Sequence, residues 1–271
     1  MSSSRKLLRL LIPPIAYQFR TLRHRPFWKH TWQCVGETFE SVAKGDGYRT
    51  PFWVQAQREF TEDLLRRAGR GGSVPRHVQG HRNLLPFAAS LLTGDPGRPF
   101  TILDFGGAMG VDFIHLTSGL ADSGAVRYIV VDTPESCRIG SELFAGDRRI
   151  SFHSEIPDVR PEIAYLNAAI QYVSDWRGTL GRLAGLKPTL LLLIRTDAGD
   201  VPTHVRGQNG VHGSLIPCWC LNVPEVVSHM QALGYRLIFK GAGDAEYDES
   251  NLPESHRIGG PAHLVFRRAD G

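Results

Sequence analysis

From residue 100 onward, short apolar runs alternate with longer stretches whose apolar positions recur every three or four residues. That rhythm predicts strands at 100–104, 127–132, 149–153, 162–167, 189–194, 235–240 and 262–268. Helices are predicted at about 109–121, 134–145, 173–185 and 223–233. In the last of these Val223, Val226, Val227, Met230 and Leu233 make one apolar stripe, and Asn222 with Pro224 suits its start. Strand–helix alternation marks a parallel α/β sheet. The final two strands depart from it, because the 241–261 connection has no helical pattern and a parallel pair needs a crossover. They are expected to be antiparallel neighbours. The result is a seven-stranded Rossmann-like sheet with a reversed last strand, not the six parallel strands of the dinucleotide fold.

Residues 1–99 show no strand-like alternation. Thr31 to Ala43, Thr50 to Ala68 and about Asn83 to Leu92 read as helices, broken at 45–47, 69–75 and 94–97. The expected organisation is therefore a basic arm and helical cap over 1–99 and an α/β domain over 100–271. A chain of 271 residues with 42% hydrophobic and 21% charged residues is ordinary for a soluble protein. No apolar run approaches the length of a membrane helix. Residues 1–36 hold seven Lys and Arg and no acid, a charge of +7 against a formal total of +4, which leaves −3 for the rest. So local a basic character argues against a nucleic-acid surface. The arm, residues 1–30, suits either an anionic membrane surface or a solvated position. The four cysteines are scattered, without zinc-ligand spacing, so no metal site is expected and reduced thiols in the cytoplasm are the default. A peripheral place at the inner membrane stays open, and so does the oligomeric state.

The stretch Thr101 to Gly110 carries the chemistry. An apolar strand ends in Asp104, and Gly106, Gly107, Ala108 and Gly110 then make a tight turn into a helix start. Such a turn brings bare backbone against a ligand, and an acid beside it suits amino or hydroxyl groups better than a bare pyrophosphate. That favours S-adenosylmethionine (SAM). Asp132, followed by Thr133, ends the next strand, where a carboxylate can accept both ribose hydroxyls or cap a helix. His153, Ser154, Glu155 and Ile156 follow the third strand, at the place for adenine. Asn167 and Gln171 lie beyond the fourth strand, near the methionine end, with Tyr172 toward the sulfonium or acceptor. Arg195 and Thr196, beyond the fifth, face the acceptor, unless Arg195 merely pairs with Asp197 or Asp200. The Gly- and Pro-rich segment 197–222, with His204, Gln208, Asn209 and His212, reads as a lid closing on the acceptor with His77, His81 and Arg82. His81 and His212 are the candidate bases.

Leu103-Asp104-Phe105-Gly106-Gly107, Ile170-Gln171-Tyr172, Arg195-Thr196, Gln208 and Pro217-Cys218-Trp219 occur in this order. Together they resemble a family of bacterial methyltransferases associated with cell-surface polysaccharide genes, over about 30–268. The resemblance implies the class I methyltransferase fold, SAM as cofactor and a small-molecule or glycan acceptor, without specifying which. Departures at Ile194, Asp132-Thr133, Gly207, Asn209 and Leu215-Ile216 fall mainly on the acceptor side. They keep open a SAM-fold enzyme that catalyses another transfer or a cyclisation, or a SAM binder without catalysis. A nicotinamide-dependent oxidoreductase is the remaining alternative. Val111, standing where the third glycine of its fingerprint belongs, speaks against it.

Overall fold

The computed structural model describes residues 31–42, 45, 47–69, 80–92, 100–120, 123–210 and 214–269. The strands are β1 (Trp32–Gly36), β2 (Phe100–Phe105), β3 (Val126–Val131), β4 (Ile150–His153), β5 (Ile163–Asn167), β6 (Leu190–Thr196), β7 (Ala198–Gly199), β8 (His204–Asn209), β9 (Leu215–Asn222), β10 (Tyr235–Ala242) and β11 (Ala262–Arg268). The α-helices are α1 (Phe39–Val42), α2 (Pro51–Ala68), α3 (Leu84–Leu92), α4 (Val111–Gly119), α5 (Pro134–Leu143), α6 (Trp176–Gly185) and α7 (Val223–Ala232).

Seven strands form one sheet in the order β10-β11-β6-β5-β2-β3-β4. β11 runs antiparallel to both β6 and β10, and the remaining pairs are parallel. The reversed last strand is therefore present as the helix-free connection required. The central strands β2, β3, β5 and β6 are mostly buried, which explains why they were legible as apolar runs. On one face Ile102, Tyr128, Ile163, Tyr165 and Leu192 pack with α4 and with Leu64 and Leu85 of α2 and α3. On the other, Leu103, Ile129, Leu166 and Leu193 pack with Trp176 and Leu180 of α6 and Val226 and Met230 of α7.

Two expectations fail. Residues Thr31 to Ala43 are not one helix, because Trp32–Gly36 is a strand and only Phe39–Val42 is helical. Segment 197–222 is not a loop-like lid, because β8 and β9 form a hairpin within it. With β1 and β7 they make a second sheet, ordered β1-β8-β9-β7. The cause is tertiary: β1 is a strand because it pairs antiparallel with β8, and pairing of this kind overrides local propensity.

A buried ion network holds this sheet. Arg206 on β8 is 0% exposed, and its guanidinium donates to Glu249 and, at 2.9 Å, to Asp197 Oδ2. Tyr247 donates to Asp197 Oδ1 at 2.8 Å, and the guanidinium lies 3.9 Å from the centre of the Trp32 ring. Glu249 Oε2 accepts the backbone N–H groups of Ile258 and Gly259, both at 2.8 Å. The 241–261 connection is thereby pinned to the small sheet, without regular helix of its own beyond a 3-10 turn at Glu254–His256.

His115 on α4 gives a pH signature. Burial, and then the charge of Arg82, hold it down from 6.5 to about 4. Between those values the unfolded chain takes up a proton that the folded chain refuses, so stability falls as pH drops through the window. The stability of His115→Gln relative to the parent protein is expected to rise steadily from pH 6.5 to pH 4. Urea unfolding at several pH values measures it, and a constant difference contradicts the assignment.

Candidate active site

The site lies along the carboxyl ends of the parallel strands. Three alternate residues of the turn after β2 are left-handed: Gly106 (φ 75), Ala108 (φ 47) and Gly110 (φ 81). Gly106 N–H donates to Val131 C=O at 2.8 Å, which ties the turn to the end of β3. A Cβ on Gly106 would sit 2.5 Å from that of Ala169, and one on Gly107 would overlap the Asp104 carboxylate. Gly106→Ala is expected to cost about 2–3 kcal/mol, from the left-handed backbone and the overlap together. A urea midpoint matching the parent protein would contradict it.

Asp104 ends up beneath the turn. It is 0% exposed, and its Oδ2 accepts the Tyr128 hydroxyl at 2.7 Å. Burial, reinforced by the neighbouring Asp112, holds its carboxyl well above the usual range. Asp112, in the first turn of α4, pairs with Arg82 at 2.8 Å and accepts from Asn167 Nδ2 at 3.0 Å. Asp104 Oδ1, Asn167 Oδ1 and Gln171 Oε1 are buried without a hydrogen-bond partner. The two amide oxygens are acceptors, and Asp104 Oδ1 is one when its carboxyl is ionised; all three lie at or just beyond the carboxyl ends of β2 and β5. Unpartnered buried oxygens are rare in folded proteins, so such a group marks a place for a donor.

Asp132 is half-buried above the same turn. Its Oδ2 accepts Ala108 N–H at 2.9 Å and its Oδ1 accepts Thr133 N–H at 2.7 Å. The helix cap falls to the next residue, since the Thr133 hydroxyl accepts Ser136 N–H at the start of α5. Asp132 therefore keeps its carboxylate for the crevice, while the Thr133 hydroxyl is engaged in the cap.

A cleft of about 760 Å³ opens at the ends of β2 and β3, lined by Phe105, Val131, Ser154, Glu155, Ile156 and, from α6 and its end, Arg182 and Leu186. The 154–162 connection that supplies its rim crosses from β4 to β5 without a helix. Ser154, Glu155 and Ile156 are thus brought together with the ends of β2 and β3; His153 ends β4, its Nε2 3.2 Å from Ser151 Oγ.

The 3-10 turn Ile170–Tyr172, which follows β5, carries the next group of polar contacts. Gln171 Nε2 donates to Arg195 C=O at 3.0 Å. Tyr172 and Tyr48 both donate to Gln208 Oε1, at 2.7 and 3.1 Å, and their rings meet edge to face at 5.0 Å. Burial holds the Tyr172 phenol well above its ordinary value and pushes Tyr48 up to about 12. Both therefore act as donors. Of the other candidates, His204 has its Nδ1 2.7 Å from Pro202 C=O and its ring edge to face with His256. His77 and His212 lie outside the described residues, as does the side chain of His81. Asp197, one of the acids considered as a partner for Arg195, accepts from Arg206, Tyr247 and Cys218.

Sequence reasoning missed Arg206, Tyr48 and His263. His263 accepts Arg195 N–H at its Nδ1 at 3.0 Å, and as one polar residue in the apolar run of β11 it gave no periodic signal. Among the described residues no group of three His, Cys, Asp or Glu is placed to hold a metal ion, and all four cysteines are free thiols. No helix among them is long and apolar enough to cross a membrane.

Among solved structures the chain is similar to the [4+2]-cyclase SpnF, with a TM-score of 0.50 and 12% identity, covering 87% of this chain and 97% of that one. The fold is the class I methyltransferase fold. Two further similar structures are enzymes solved with S-adenosylhomocysteine. The 1,6-didemethyltoxoflavin-N1-methyltransferase of Burkholderia thailandensis is 16% identical over 84% of this chain and 94% of its own, with a TM-score of 0.47. The magnesium protoporphyrin IX methyltransferase of Synechocystis PCC 6803 is 14% identical over 79% and 99%, with a TM-score of 0.45. No family model and no curated protein matches the chain.

Proposed function

We propose that the protein is a SAM-dependent methyltransferase acting on a small-molecule or glycan acceptor. The observation that carries this is the Asp132 carboxylate, held by Ala108 N–H of the left-handed turn and next in the chain to Val131, which lines the cleft. Each of its oxygens takes one backbone N–H and keeps a lone pair for a ribose hydroxyl. The cleft, with Phe105 and Ile156 as apolar wall and Ser154 and Glu155 as polar contacts, suits adenine. The unpartnered Asp104 Oδ1 and Asn167 Oδ1 suit the ammonium of the methionine end. A cation arriving there offsets the repulsion from Asp112 and favours an ionised Asp104.

When bound, SAM would supply an electrophilic methyl to the acceptor's lone pair and leave as S-adenosylhomocysteine. The chain's own part is to position the acceptor and exclude water. We assign acceptor binding to Arg195 and to Gln208, whose amide Tyr172 and Tyr48 orient. His81 and His212 remain our candidates for taking the proton of a hydroxyl acceptor. Residues 1–99 serve as arm and cap and 100–271 as cofactor domain, the two sharing the small sheet through β1. Free thiols support a cytoplasmic location.

A second reading, SAM-fold chemistry other than methyl transfer, is favoured by the two acceptor-side phenols being locked as donors. Mass spectrometry of turnover with SAM and candidate acceptors separates the two. Methyl transfer yields S-adenosylhomocysteine and a product heavier by one methylene. Methylthioadenosine, or product formation without SAM consumption, would establish the second reading.

A further inference from the structure

Resting on the methyltransferase reading, we infer that the acceptor is an uncharged ring, and that the Gln208 amide donates to one of its hydroxyl or carbonyl oxygens. Gln208 Oε1 takes two phenol protons, from Tyr172 at 2.7 Å and from Tyr48 at 3.1 Å. An amide oxygen has two lone pairs, so that end of the side chain is fully used. Both phenols stay protonated, because burial holds each above its ordinary value. The carboxamide is thereby fixed in one orientation, with both N–H groups of Nε2 left over. Among the described residues nothing accepts them, and the nitrogen is open to solvent.

Three separate elements meet at this amide. Tyr172 comes from the 3-10 turn after β5, and Trp219 of β9 ties that turn to the small sheet by donating to Val173 C=O at 3.1 Å. Tyr48 comes from the 3-10 turn Gly47–Arg49 of the cap. Gly47 lets that turn lie close on β9. It is left-handed at φ 53, and a Cβ on it would sit 3.1 Å from Ile216 Cγ1, of the residue paired with Gln208. Trp53, in the first turn of α2, brings its ring centre to 4.7 Å from that of Tyr48. The rings of Tyr48, Trp53 and Tyr172 are only half-buried, so an aromatic wall stays partly open beside one placed donor. Apolar rings with a few fixed polar groups are the make-up of a small-molecule site. Such a wall suits the C–H face of a sugar and the face of a flat heterocycle alike. The donor is neutral, and the Asp197 charge acts on both phenols, which disfavours an anion at this place.

The test titrates the full chain by ligand-observed NMR with methyl α-D-glucopyranoside, uracil, acetate and inorganic phosphate in turn, alongside titration with S-adenosylhomocysteine. One of the two neutral rings is expected to bind saturably and more tightly than either anion, and which one it is tells a sugar from a flat heterocycle. Gln208→Glu keeps an oxygen for both phenols and puts an acceptor where the donor was. It is expected to weaken binding of that ring by about tenfold or more and to leave S-adenosylhomocysteine affinity within about twofold. Tyr172→Phe removes one of the two bonds that hold the amide, and is expected to weaken ring binding by about fivefold, one hydrogen bond's worth. It decides the matter if Gln208→Glu does not fold. The inference is overturned if neither ring saturates, if an anion binds more tightly than both, or if the folded variants bind the ring as well as the parent. Failure to bind S-adenosylhomocysteine with the ring pattern intact overturns the cofactor reading instead.

Discussion

Arg206→Met lowers the free energy of unfolding by about 3–5 kcal/mol, the expected result of stranding buried charges. Asp197 and Glu249 are 1% and 4% exposed, and both direct an oxygen at the guanidinium. Without it two carboxylates face each other's field in a site closed by Trp32 and Tyr247. Methionine matches the stem of arginine, so the loss reports charge more than volume. Adding Asp197→Asn and Glu249→Gln to Arg206→Met is expected to recover part of the loss, because the repulsion leaves with the charges. Urea unfolding at neutral pH measures both variants. A single variant within 1 kcal/mol of the parent, on the order of an exposed pair, would show that the network is dispensable.

Asp132→Ala weakens binding of S-adenosylhomocysteine by about a hundredfold or more. Two hydrogen bonds from ribose hydroxyls to a carboxylate are each worth roughly 1.5–3 kcal/mol, and both disappear. The variant also frees Ala108 N–H and Thr133 N–H, so a modest fall in stability accompanies the loss. Thr133→Ala separates the two effects. It removes the cap of α5, costs about 1 kcal/mol, and leaves cofactor affinity nearly unchanged. If Thr133→Ala and Asp132→Ala reduced affinity equally, Asp132 would be a structural residue.

The seven-stranded sheet was legible because its central strands are buried on both faces, and continuous runs such as Leu190 to Ile194 carry that information locally. The reversed strand followed from what 241–261 lacks. The small sheet was hidden for the opposite reason. β8 turns Arg206 inward, and its partners lie nine and 43 positions away, so nothing nearby marks a buried cation. β1 owes its form to β8, more than 160 positions later in the chain. In the site, Gly106, Ala108, Gly110 and Asp132 declared themselves by spacing and by their place after strands. The left-handed conformation of Arg195, at φ 50, did not, since it comes with a register shift between β6 and β11 and with the hydrogen bond to His263.

Calorimetric titration of the full chain with S-adenosylhomocysteine decides whether the turn and Asp132 form a SAM site. Such a site binds one molecule per chain saturably, and this binding is lost on Asp132→Ala and spared by Thr133→Ala. Folded protein that takes up no S-adenosylhomocysteine at millimolar concentration contradicts it.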